Sequence, residues 1–123
     1  MTRKPSESLD IEVRQIGQAA VVWVHGSTGM VEAQKLTDEL LRLAQRAVPV
    51  IVLDLSDMEY ISSAGLGAIL RARKALREYK GEVRLVHPQP LIRILLETTR
   101  LTQLLPLFST VEDALAGVMP PRL

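Results

Sequence analysis

The chain has no cysteine. That excludes disulfides, thiolate metal sites and cysteine nucleophiles. Aromatic residues make up only 3% of its 123 residues, so the core must be built from Leu, Val, Ile and Ala. Neither sign of charge dominates. The formal net charge is +1, and the Lys and Arg residues are scattered. A clustered basic face with stacking aromatics, the footprint of a nucleic-acid binder, is missing. No apolar run approaches the ~18–20 residues of a membrane span. Met1 to Ser8 carries charge with no apolar stretch behind it, unlike a secretory signal. A cytoplasmic location is the expectation. The histidines are His25 and His87, with no metal-ligand spacing around them. There is no Gly-x-Ser-x-Gly elbow and no Walker pattern. Neither an enzyme nor a cofactor or metal site is expected.

What is present is a 47% hydrophobic chain, long enough for one domain with a real core. Residues 1–8 read as a disordered lead-in, 9–118 as a single domain and 119–123 as a tail. Leu9 to Ile16 alternates like a half-buried strand, and Ala19 to His25 reads as its hairpin partner across Gly17-Gln18. Gly26 to Gly29 reads as a loop. Ala33, Leu36, Leu40, Leu43, Ala44 and Ala47 recur at helical spacing within 31–47, before Pro49. Val50 to Leu55 is a continuous apolar run of the kind buried on both faces. A polar turn follows, then a helix from Ala64 to about Lys80, with Gly81 at its C-cap. Glu82 to Val86 is a strand, Leu91 to Glu97 a helix and Leu104 to Phe108 an edge strand containing Pro106. Val111 to about Val118 is a last helix, capped by Ser109-Thr110. The order β-β-α-β-α-β-α-β-α implies an α/β fold with a mixed, mostly parallel sheet of about five strands and about four helices.

Leu53 to Gly67 concentrates the chemistry. A buried strand leads into a helix start that carries Ser62 and Ser63. A hydroxyl there can cap the helix, act as a nucleophile if a base is near, or carry a phosphate against the positive end of the helix dipole. Asp54 and Asp57 could hold a cation, and read more simply as a strand-end acid and a turn-forming acid. Ala64, Gly65 and Gly67 leave the first helical turn nearly bare. Leu66 and Met58 add apolar surface. That makeup suits a protein docking site with a charge switch.

Asp54-Leu55-Ser56, Ile61-Ser62-Ser63-Ala64-Gly65-Leu66-Gly67 and Gly81-Glu82-Val83-Arg84-Leu85-Val86 resemble a STAS domain of the anti-sigma factor antagonist family. The resemblance spans roughly Leu9 to Gly117. It implies a STAS-type sheet and a non-enzymatic protein that binds an anti-sigma factor, often a serine kinase, in a partner-switching pathway. It also implies phosphorylation of a serine at the start of the second helix and its reversal by a PP2C-type phosphatase. Laid on the family motif, Ser63 is the phosphoacceptor, with Ser62 the alternative. Ser62 stands where the family carries an aspartate, and Gly29 where it carries another. The expected docking surface comprises Gly26, Ser27, Thr28, Gly29, Met30, Met58, Ser62, Ala64, Gly65, Leu66 and Gly67. A monomer is expected for the free protein. The rival expectation is an unphosphorylated STAS subunit of a larger assembly, such as a lipid-transport ABC ATPase complex.

Overall fold

The apolar run at the centre of the sequence becomes the centre of the sheet. In a computed structural model, which describes residues 9–117, β3 (Val50–Ile61) is flanked by β2 (Ala19–Thr28) and β4 (Glu82–Val86), both parallel to it. β1 (Leu9–Ile16) closes one edge, antiparallel to β2, and β5 (Leu107–Phe108) closes the other, parallel to β4. The strand order is β1-β2-β3-β4-β5. The expected mixed, mostly parallel sheet is present. Residues 1–8 and 118–123, including the expected lead-in and tail, lie outside the described residues.

The two faces of the sheet are covered unequally. Val22, Val24, Ile51, Leu53, Leu55 and Leu85 point to one face. There they meet Leu36 and Leu40 of α1 (Met30–Gln45), Ile69 and Leu76 of α2 (Ser63–Arg77), and Ile92 and Leu96 of α3 (Pro90–Thr98). The opposite face carries a smaller cluster, Ala19, Val21, Val50, Val52 and Val86. It is capped by Ala114 and Leu115 of the short helix α4 (Val111–Leu115). Arg84 holds α4 down. Its Nη1 donates to the carbonyl of Ala114 at 2.6 Å, its guanidinium lies over the Phe108 ring, and Glu82 pairs with it.

Four local expectations differ from the structure. Gly26, Ser27 and Thr28 continue β2 rather than forming a loop. Ser56 to Tyr60 is strand, not turn. β3 keeps its pairing through two irregularities, which let it turn Met58 and Ile61 back into the core while Asp57, Glu59 and Tyr60 stay exposed. Pro106 precedes β5, and Leu101–Gln103 forms a 3-10 turn, so the last strand has only two residues. After α2, the left-handed residue is Lys80 (φ 62°), not Gly81. Gly81 is needed for close approach instead: a Cβ there would lie 3.0 Å from the Pro49 carbonyl oxygen.

Candidate functional site

Because β2 and β3 are parallel neighbours, the helices that follow them begin side by side at one end of the sheet. Thr28, the last residue of β2, accepts a hydrogen bond from the Ser62 N–H at 2.8 Å. The start of α2 is thereby stitched to the residue that leads into α1. The first turn of α2 lies directly on β2 and β3. A Cβ at Gly65 would stand 2.7 Å from Ile61 Cγ1 and 2.8 Å from Thr28 Cγ2. Gly65 is there because no side chain fits.

The two serines have separate tasks. Ser62 is the N-cap in extended conformation, 8% exposed, and its Oγ accepts from the Gly65 N–H at 3.1 Å. Ser63 is the first helical residue and is exposed. Its own N–H and that of Ala64 have no intrahelical acceptor by position. No acidic residue stands in this first turn. A negative group arriving at Ser63 therefore meets the unneutralised positive end of a 15-residue helix.

Around Ser63 the surface is small or apolar. Ala64, Leu66 and Gly67 are partly exposed. Met30 and Val31, in the first turn of α1, are 80% and 82% exposed, whereas the exposed Tyr60 is paired with Ser27 and so faces the other side of the sheet, with His25. Gly26 and Gly29 lie at the half-exposed edge. Thr28, Met58 and Gly65 are buried beneath this surface, and Ser27 is buried on the other side of β2. The hydroxyls of Ser27 and Thr28 have no hydrogen-bond partner among the described residues. Val31 is an addition to the residues singled out from sequence. Val31 was detectable, since it falls on the side of α1 opposite Ala33 and Leu40, where an apolar residue has no core to enter.

The remaining candidates lie elsewhere. His25 points to the sheet face opposite α2, because Val22 and Val24 take the α2 face and side chains alternate along β2. It sits 3.5 Å from Asp57, away from Ser63. Asp54 accepts from the N–H and Oγ of Ser56, and Asp57 from Trp23 Nε1. Among the described residues no group of three or more His, Asp or Glu side chains is placed to hold a metal. No described helix is long and apolar enough to cross a membrane.

Known proteins share this arrangement. A curated Bordetella bronchiseptica protein, BtrV, named as a candidate anti-sigma factor antagonist, is 29% identical over 109 residues, 89% of this chain and 94% of its own. The crystal structure of an anti-sigma factor antagonist from Mycobacterium paratuberculosis superposes with a TM-score of 0.83 at 29% identity. That match covers 91% of this chain and 95% of the other. The Bacillus cell fate determinant SpoIIAA in its phosphorylated form shares the fold, with a TM-score of 0.71 at 19% identity over 89% of this chain and 99% of its own. The STAS domain profile matches residues 10–114, almost the whole described structure, and the chain therefore belongs to the STAS domain family.

Proposed function

We propose that this protein is an anti-sigma factor antagonist whose α2 start docks an anti-sigma factor and is switched by phosphorylation of Ser63. The observation that carries the reading is the division of labour between the adjacent serines. Ser62 is buried as the cap, while Ser63 projects from a positive helix end that has no acid in its first turn and has small and apolar neighbours. An exposed serine at that position is open to a kinase, and its unmodified surface is open to a partner.

The partner's serine kinase activity transfers the γ-phosphoryl group of ATP to Ser63 Oγ, and the hydroxyl proton leaves with the base that accepts it. A PP2C-type phosphatase hydrolyses the ester and restores the hydroxyl. The phosphoryl group carries roughly −1.5 to −2 charges. It is held by the free N–H groups of the first turn, and it places a strongly hydrated group where the partner's surface must desolvate. Each 1.4 kcal/mol so lost weakens binding about tenfold. The surface offered to the partner is Met30, Val31, Ser63, Ala64, Leu66 and Gly67, with Gly26 and Gly29 at its margin. Thr28, Met58, Ser62 and Gly65 shape it from beneath. The protein acts as a cytoplasmic monomer in its free state and needs no cofactor.

The test is phosphate mapping by mass spectrometry on protein recovered from its native cells, paired with partner binding by the Ser63→Ala and Ser63→Glu variants. The expected result is phosphate on Ser63, retained binding by Ser63→Ala and at least about tenfold weaker binding by Ser63→Glu, about 1.4 kcal/mol. Phosphate confined to another residue, or equal binding by both variants, overturns the proposal.

A further inference from the structure

The sheet face turned away from α1 and α2 carries a pattern that this docking surface does not use. On three adjacent strands, Asp10 is paired with His25, and His25 with Asp57. One rung along, Glu12 is paired with Trp23, and Trp23 with Asp54. Each rung reads acid, aromatic, acid. Side chains at directly paired positions share a face, so Glu12 and Asp54 stand on the strands to either side of the indole, and all three line one cleft. Trp23 Nε1 donates to Asp57 Oδ2 at 3.0 Å, and the His25 ring meets the indole edge to face. These bonds fix the indole in one orientation.

The short α4 covers only the other end of this face. Beside it opens a cleft of about 560 Å³, whose floor and walls include Val21, Val111, Trp23, Glu12, Asp54 and Arg14. That volume lies within the range of about 300–1,000 Å³ typical of ligand pockets. Two cations are close by: Arg14, one rung beyond and opposite Val21, lines the cleft itself, and Lys35 donates to the Leu9 carbonyl. Asp10 and Glu12 make no ion pair among the described residues.

We propose that this cleft is a second docking site, for a protein segment that presents an arginine side chain to Trp23. A guanidinium is flat and weakly hydrated. It can lie against an indole while its forked N–H groups reach carboxylates on either side. Glu12 and Asp54 stand on either side, and the valines of the floor take the aliphatic stem. Lysine offers a strongly hydrated point charge and lacks the fork. Because the site is on the opposite face of the sheet from α2, its occupant binds whatever the state of Ser63.

Trp23 is the chain's only tryptophan, and so the site reports on itself. The experiment titrates the full chain with an end-blocked hexaarginine peptide and follows indole fluorescence, excited where tyrosine does not absorb. The expected result is a saturable change, about tenfold weaker in the Asp10→Asn/Glu12→Gln double variant and unchanged in Ser63→Glu. Both substitutions in the double variant are at exposed positions, so the fold is kept. No saturable change, undiminished affinity in the double variant, or an equal response to hexaglutamate overturns the site. Equally tight binding of hexalysine overturns its assignment to arginine.

Discussion

Helices α1 and α2 begin next to each other, each at the C-terminal end of a parallel strand, and their first turns are completed by different means. At α1 the N-cap is Gly29, and its N–H donates to the carboxylate of Glu32 three residues on, at 3.1 Å. That acid also neutralises the positive end of α1. At α2 the cap is a neutral hydroxyl, and no acid follows in the first turn. The first helix start is electrostatically finished from within. The second has no acid of its own in the first turn. The proximity of the two starts makes the contrast useful, since the same surface holds one closed helix end and one open one.

The same one-methyl insertion breaks the two starts to different degrees. At Gly65 the added carbon collides with Ile61 and Thr28, whose positions the sheet fixes, at 2.7 and 2.8 Å. Gly65→Ala is expected to cost about 2 kcal/mol through overpacking, and to lift α2 off β2. At Gly29 the added carbon meets only the Glu32 carboxylate, at 2.7 Å, the far end of a flexible side chain. Gly29→Ala is expected to cost about 0.5–1 kcal/mol, the ordinary loss of a favourable cap residue. Urea denaturation of the pair measures the difference. Equal losses would show that the two starts are equally constrained and remove the contrast.

Exchanging the serines is the next largest effect. Ser62→Ala removes the acceptor for a buried Gly65 N–H and is expected to cost about 1 kcal/mol. Ser63→Ala removes an exposed hydroxyl and is expected to stay within about 0.5 kcal/mol of the parent. The reverse order of losses would make Ser63 the structural residue and Ser62 the free one.

That ordering could not be read from the sequence. Both serines precede an apolar periodic segment, and either satisfies the pattern of an N-cap. The choice is made by the hydrogen bond from the Ser62 N–H to Thr28, a contact between residues 34 positions apart. Sequence reading was strongest where one period governed a whole element. The continuous apolar run of β3 marked a strand buried on both faces, and the Ala33, Leu36, Leu40 spacing marked the inner side of α1. It failed where tertiary pairing overrode local polarity. Ser56, Asp57 and Glu59 look like a turn, but pairing of Asp57, Met58, Tyr60 and Ile61 with β2 carries the strand through them. Gly81 looks like a left-handed cap, but Lys80 takes that conformation and Gly81 yields space to a carbonyl. The carboxylates that bracket Trp23 lie on three strands, and only the register brings them together.

The smallest expected effect sharpens the comparison most directly, because it gives α2 what α1 already has. Ser63→Glu places a carboxylate in the first turn of α2, facing N–H groups that have no helical acceptor. A negative charge at that position is worth about 0.3–1 kcal/mol of added stability at low ionic strength. The gain should shrink as salt rises, since the charge is exposed and the Debye length falls from about 30 Å at 0.01 M to about 10 Å at 0.1 M. Adding a second acid to α1 beside Glu32, as Val31→Glu, should give less, because that helix end is already neutralised. Thermal or urea unfolding at two salt concentrations separates these outcomes. A stabilised Ser63→Glu that loses its partner would locate the switch in the interface, with the fold itself intact. A destabilised Ser63→Glu would mean that the open end of α2 is already neutralised by some other group, and the contrast with α1 would fall.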